Sequence, residues 1–476
     1  MKTMKLFKVV ASIVLLNLIS LTVTAQANQP QKSDSVLLVI KQYINEHNTV
    51  AIYEMGNESF RKGFDKEKLG AFFEKEIYPL GKIRQSSPIV LSQNPEKYKL
   101  QFESGKLEFS FLLDKTGKFS SFTFSPFKAV ITSKSVPAAT SNKLSTVLDK
   151  QVDSIARRYI QKSNTVGLSI GVLKDGQMKT YGYGETSKGS SKLPDANTIF
   201  EIGSITKTFT ATILAHYINE GKISLIDPII KYLPDSLSAN SELHKITILN
   251  LSNHTSGLPT IPGNFANKMN PANPYIHYDE RLLFAGLRTC KLTTAPGTVY
   301  AYSNLATGLL GVILERISGK TYEQLVKKLI TVPLHMHNTS QRLTPQQNKQ
   351  FVKVYDADGD EIQPWDFNAL AGCGSLRSTV NDLLLYAKAN IKSDYVPLSN
   401  SFTLTHKVTY SKDPVVCLGW HLFQEDGASY YWHNGGTGGS RSYLILNTEK
   451  KIAVVVLSNS NVGVDDIGIS ILRKII

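Results

Sequence analysis

Residues 200–211 read FEIGSITKTFTA and place Ser204 and Lys207 three apart at the front of a predicted helix. On a helix, positions i and i+3 share a face, so this hydroxyl and this amine can meet. A serine hydroxyl is a weak nucleophile until a base takes its proton. Lysine serves as that base only where burial or a nearby cation lowers its pKa. The flanking Ile202, Ile205, Phe209 and Ile213 are apolar and predict a buried turn. A helix N-terminus also favours developing negative charge. The plainer reading of the same residues is a serine cap followed by an exposed lysine. Taken alone, the stretch leaves both readings open.

Two distant patches bear on the choice. Residues 296–311, PGTVYAYSNLATGLLG, carry Tyr302-Ser303-Asn304 between a Pro-Gly turn and a predicted helix. A tyrosine there can relay a proton, and Asn304 can hold a carbonyl or the lysine; a core tyrosine followed by Ser/Asn caps is the alternative. Residues 430–446, YYWHNGGTGGSRSYLIL, carry His433-Asn434-Gly435 and then Gly436 at the entry to a strand that reads as a sheet edge. Glycines there let a substrate backbone approach closely. A free N–H there, with that of Ser204, would make an oxyanion hole. A flexible Gly-rich hairpin is the alternative.

The order S-x-x-K, Y-x-N, H-x-G resembles the serine β-lactamase and penicillin-binding-protein superfamily, and within it the class C β-lactamase-like branch. The phrases GKISLIDPIIKYLP, LSNHTSGLP and GCGSLRSTVNDLLLY agree with that branch. The resemblance covers residues 145–476. It implies Ser204 as the acylated nucleophile, Lys207 as its base and Tyr302 as the partner acid/base. It implies Asn304 as a substrate and lysine contact, and the N–H groups of Ser204 and Gly436 as the oxyanion hole. His433, Asn434 and Gly435 would line the strand that docks the substrate. The branch's β-lactamases carry Lys-Thr-Gly at this third patch. A histidine there is mostly neutral near pH 7, which weakens the case for efficient penicillin hydrolysis. Arg441 is a weak candidate for the missing charge.

The rest of the 476-residue chain predicts further parts. Lys2, Lys5 and Lys8 precede an apolar run from Val9 to about Val23 that ends in Thr24-Ala25-Gln26-Ala27. This reads as a secretory signal peptide cleaved after Ala25 or Ala27, with an uncleaved membrane anchor as the alternative. Residues 28–128 show helical stripes at Val36, Leu37, Ile40, Ile44 and at Leu69, Phe72, Phe73, Ile77. Alternating strands with turns at Ser104-Gly105 and Thr116-Gly117 follow. That order predicts a small α+β domain and resembles, in pattern only, the nuclear-transport-factor-2-like folds. Residues 129–142, AVITSKSVPAATSN, read as a linker. Residues 143–476 predict an α+β β-lactamase/transpeptidase-like domain: an antiparallel sheet flanked by terminal helices, with a helical region inserted.

Composition narrows the function classes. The net charge is +14, but Lys and Arg are scattered and no helix carries a dense basic stripe, which argues against a nucleic-acid partner. Anionic envelope polymers fit better, so peptidoglycan association is an expectation. Cys290, Cys373 and Cys417 form no disulfide framework and no CxxC pair. Residues 356–361, DADGDE, read as a hairpin turn rather than a calcium loop. His335 and His337 lack a third ligand nearby, so no metal or cofactor is expected. The expected protein is an exported hydrolase, periplasmic or secreted, acting on D-amino-acid peptides of cell-wall type or small esters. The alternatives are a class C-type β-lactamase and a non-hydrolytic penicillin-binding envelope sensor.

Overall fold

The computed structural model describes residues 30–90, 96–391 and 398–476. The predicted signal peptide lies outside them. The chain divides into two compact units, Met1–Val130 and Ile131–Ile476.

The first unit opens with helices α1 (Pro30–Asn45), α2 (Thr49–Glu54), α3 (Glu58–Gly63) and α4 (Lys66–Phe72). Asn48, Asn57 and Asp65 cap the last three through side-chain oxygens. An antiparallel meander follows: β1 (Ile83–Val90), β2 (Glu96–Phe102), β3 (Gly105–Leu113) and β4 (Phe119–Pro126), paired in chain order. Leu37, Ile40 and Ile44 of the first predicted stripe, with Leu69, Phe73 and Ile77 of the second, are buried against Leu100, Phe102, Phe109 and Phe119. The period-2 pattern of β3 puts Leu107, Phe109 and Phe111 on that core face.

The second unit starts with α5 (Val147–Ile160), β5 (Gly167–Lys174), β6 (Gln177–Gly184), the two-residue β7 (Phe200–Glu201) and α6 (Thr206–Asn219). The inserted region holds α7 (Ile248–Ser252), α8 (Glu280–Arg288), α9 (Asn304–Ser318), α10 (Tyr322–Val326) and α11 (Pro345–Asn348). It continues with β8 (Val354–Tyr355), β9 (Glu361–Ile362), β10 (Arg377–Ser378), α12 (Val380–Ile391) and α13 (Ser399–Thr405). The chain ends with β11 (Val415–Val416), β12 (His421–Glu425), β13 (Ala428–Gly436), β14 (Arg441–Asn447), β15 (Ile452–Ser458) and α14 (Asp465–Ile475). DADGDE is the turn between β8 and β9.

The main sheet runs β11-β12-β13-β14-β15-β5-β6, all antiparallel, so both ends of the unit build it. Both faces are covered, which explains why β15 is an unbroken apolar run instead of an alternating one. Val454 and Val456 face α5 and α14, meeting Val152, Ile155, Ile471 and Leu472. Ala453, Val455 and Leu457 face the inserted helices and meet Leu383, Leu384 and Phe209. Helix α6 lies within that second core, with Thr206 to Ala215 all buried. Its buried threonines remain satisfied: Thr208 Oγ1 donates to Ile205 O and Thr212 Oγ1 to Thr208 O.

Residues 131–142 are no free linker. Gly184 N–H donates to Ala139 O, Ser141 N–H to Gly182 O and Lys134 N–H to Gln161 O. Thr140 bridges Tyr183 and so covers the edge strand β6. The Ser/Thr/Ala composition suggested flexibility, but these backbone groups had partners waiting on β6 and at the end of α5.

Candidate active site

Gly203, Ser204 and Ile205 form a single 3-10 turn ahead of α6. Gly203 has φ +48°, and a Cβ there would lie 2.6 Å from Gly436 N. Only glycine permits both the backbone conformation and this approach. Ser204 does not cap the helix; its hydroxyl accepts from Lys207 Nζ at 3.0 Å and from Tyr302 OH at 2.7 Å. Lys207, one turn along, is 1% exposed. Its Nζ also donates to Asn304 Oδ1 at 2.8 Å and to Cys373 O at 2.6 Å. Burial pushes its pKa down to about 8. The amine also stands 4.8 Å from the Tyr302 ring centroid, and burial raises the Tyr302 phenol above its ordinary value.

The N-terminus of α9 is clamped. Ser303 caps it, accepting from Ala306 N and donating to Pro259 O at 2.7 Å. The N–H groups of Asn304 and Leu305 both donate to Thr260 O. His254 Nδ1 accepts from Ser303 N–H at 3.2 Å, and its ring lies 4.4 Å from that of Tyr302. The accepting Nδ1 fixes His254 as the neutral Nε2–H tautomer, and burial, aided by Lys207, holds its pKa well below 6.5. Tyr302 and Asn304 therefore project from a rigid corner.

The third patch lies on β13. β12 pairs with β13 only as far as Trp432, so residues 433–436 have β14 alone as their strand partner. An interior strand thus becomes an edge at the site. His433 and Gly435 point to the side of Ile202 and Ser204: a Cβ on Gly435 would lie 2.0 Å from Ile202 O. Gly436 N sits against Gly203, the residue that precedes Ser204.

The family described as Beta-lactamase matches residues 152–473. The chain belongs to the beta-lactamase family. It is 27% identical over 344 residues to a beta-lactamase of Pseudomonas fluorescens, spanning 65% of this chain and 93% of that protein. It is 30% identical over 330 residues to the D-alanyl-D-alanine-carboxypeptidase/endopeptidase AmpH of Escherichia coli (strain K12), spanning 65% and 83% respectively. Among solved structures, a class C beta-lactamase aligns with a TM-score of 0.62 at 25% identity, covering 70% of this chain and 98% of that one. The chain is therefore a serine hydrolase of the β-lactamase superfamily with an α+β fold.

Within this family member, Ser204, Lys207, Tyr302 and Asn304 converge, although 97 positions separate Lys207 from Asn304. Asn434 points away: it is exposed and its Nδ2 donates to Asp465 Oδ1 at 2.7 Å on α14. Arg441 does not share the face of His433, and its guanidinium lies against Gly436. It follows the opposite alternation from Ser442, whose Oγ donates to Ile202 O on the nucleophile side, so it lies on the far face of the sheet. Three contributors had no sequence signal strong enough to name them. Cys373 acts through its carbonyl, which any residue has. His254 acts as a wedge behind Tyr302. Glu201, 3% exposed, accepts from Thr437 Oγ1 and from Trp365 N–H, both at 2.6 Å. That carboxyl ties β7 to the turn after Gly436, and burial raises its pKa.

Proposed function

We propose that this protein cleaves amide or ester bonds through an acyl-enzyme on Ser204, with Lys207 as base and Tyr302 as proton relay. The observation that carries the reading is the Ser204 hydroxyl held between Lys207 Nζ and Tyr302 OH. A charged Lys207 spends three N–H groups on Ser204 Oγ, Asn304 Oδ1 and Cys373 O. A neutral one keeps two and turns its lone pair to Ser204. With a pKa lowered to about 8, an appreciable neutral fraction exists at physiological pH.

Lys207 takes the serine proton as Ser204 Oγ bonds to the substrate carbonyl carbon. The N–H groups of Ser204 and Gly436 receive the oxyanion. The C–N or C–O bond then breaks, and the leaving atom takes a proton passed from Lys207 through Tyr302. Water adds to the acyl carbon, gives its proton to the same relay, frees the acid and restores Ser204.

The substrates proposed are D-amino-acid peptides of cell-wall type or small esters, met after export, with peptidoglycan as the surrounding polymer. β-Lactam turnover is the second reading, favoured by the beta-lactamases among its relatives. The test is covalent labelling of the full chain by a fluorophosphonate, read by intact mass. Wild type gains one adduct and Ser204→Ala gains none; an adduct on Ser204→Ala overturns the reading.

A further inference from the structure

Gly436, the last residue of β13, has β14 alone as its strand partner, and its pairing with Arg441 fixes its register there. Strand pairing leaves open how far its amide stands from the turn that carries Ser204. Side chains set that spacing. Ser442 Oγ donates to Ile202 O at 2.8 Å, and Thr437 Oγ1, one residue past Gly436, meets Glu201 Oε2 at 2.6 Å. Glu201 and Ile202 directly precede the Gly203-Ser204-Ile205 turn.

Thr437 is the pivot of a closed turn. Its N–H donates to Ser440 O at 3.1 Å, and its Oγ1 accepts from Ser440 N–H at 3.1 Å. The other oxygen of Glu201, Oε1, accepts from Trp365 N–H at 2.6 Å. The Trp365 indole lies against the same turn, where a Cβ on Gly438 would come 2.7 Å from its Nε1. Arg377, paired with Glu201 across β10 and β7, donates to the Trp365 carbonyl at 3.1 Å and to Asp366 Oδ1 at 2.9 Å. Glu201, Thr437 and Arg377 are all buried. An ionised Glu201 accepts from both its partners. A protonated one accepts from Trp365 N–H and donates to Thr437 Oγ1, so the bridge holds in either state.

We propose that Glu201 is a positioning residue for acyl transfer: by bridging β7 to Thr437 it sets the spacing between the Gly436 and Ser204 amides. The inference rests on the acyl-enzyme reading above, in which those two N–H groups receive the oxyanion. Oxyanion donors act in the transition state, and small displacements of them are costly. Loss of the bridge therefore lowers kcat and kcat/KM by the same factor. It leaves the base in place, because Glu201 hydrogen-bonds to none of the groups that hold Lys207 among the described residues.

The test measures turnover of p-nitrophenyl acetate, a small neutral ester, by the full chain, with fluorophosphonate titration counting active Ser204. Glu201→Leu fills the volume without the bridge and should lower kcat and kcat/KM together, by about 10- to 100-fold. The acylation midpoint at a pH of about 8 should stay where it is. Glu201→Gln spans the same gap with an amide and should restore most of the rate. Thr437 gives a second pair from the other end of the bridge: Thr437→Ser keeps the hydroxyl and the rate, and Thr437→Val loses both. That pair decides the matter even if Glu201→Leu does not fold. A folded Glu201→Leu or Thr437→Val variant with wild-type kcat, a loss in Glu201→Gln as large as in Glu201→Leu, or a moved pH midpoint would overturn the inference. Absence of fluorophosphonate labelling of wild type would instead overturn the acyl-enzyme reading.

Discussion

The Nζ of Lys207 lies 2.6 Å from the carbonyl oxygen of Cys373, a residue 166 positions further along the chain. With Asn304 Oδ1 at 2.8 Å, this carbonyl fixes the amine's remaining donor or lone pair on Ser204. No carboxylate contacts the amine among the described residues, so burial alone dominates its titration. Acylation should therefore rise with pH through about 8 and level off above it. Lys207→Met should lower the fluorophosphonate labelling rate by about 10²–10⁴-fold and remove that rise.

The same depressed pKa has a stability consequence. The folded chain holds Lys207 at about 8 while the unfolded chain keeps it near its ordinary value of 10.5. Between those values the unfolded state binds more protons, so folding stability rises with pH. Denaturant titrations of wild type and Lys207→Met at pH 7, 8, 9 and 10 should show wild type gaining on the variant only above about pH 8. The gain approaches about 1.4 kcal/mol per pH unit. A constant difference across the series would contradict the assignment.

Gly203→Ala puts a Cβ 2.6 Å from Gly436 N at a φ of +48°. The backbone strain is about 1–3 kcal/mol. Relief of the clash separates the Ser204 and Gly436 amides, so loss of one oxyanion donor applies, about 10²–10³ in kcat. Thermal melting and turnover of a neutral ester should both fall.

His254 has φ +60°, a backbone conformation that asparagine tolerates better than alanine. His254→Asn should therefore lose less melting temperature than His254→Ala, although both remove the buried ring and the acceptor for Ser303 N–H. It loses the ring at 4.4 Å from Tyr302, and kcat should fall with little change in KM. His254→Ala should lose both stability and kcat. Equal kcat for wild type and His254→Asn would show that the ring does not position Tyr302.

Two truncations separate the compact unit from the predicted linker boundary. A chain beginning at Ile131 keeps the hydrogen bonds that Ala139 O accepts from β6 and Ser141 N–H donates to it, and those from Lys134 to the end of α5. One beginning at Lys143 leaves the edge of β6 bare. The shorter chain should melt at a lower temperature and aggregate more, measured by calorimetry and light scattering side by side.

Much of the second unit was legible in advance. Strands β5, β14 and β15 announce themselves by apolar runs, because both faces of the sheet are buried there, and β6 by the Asp175-Gly176 turn before it. Helix α5 carries its capping box, Thr146 with Asp149, in plain sequence. Residues 131–142 were not legible as part of this unit, since their structure is made by partners on β6 and α5 rather than by their own propensities. In the site, Ser204, Lys207, Tyr302 and Asn304 carry side-chain chemistry and so leave a motif. Cys373 contributes only a carbonyl and His254 only a ring at the right depth, and neither leaves one.

By itself the sequence determined the α+β class, the three patches and the absence of a Lys-Thr-Gly cation at His433. It also brought Ser204 within reach of Lys207, because i and i+3 on one helix are fixed by local geometry. Only the tertiary structure decided that Ser204 is a hydrogen-bond acceptor from two side chains and not a cap. It alone decided that Asn434 and Arg441 lie on the face of the sheet opposite His433. These outcomes depend on which strand pairs with which and on what each face meets. Local propensity carries no record of contacts made between residues a hundred or more positions apart.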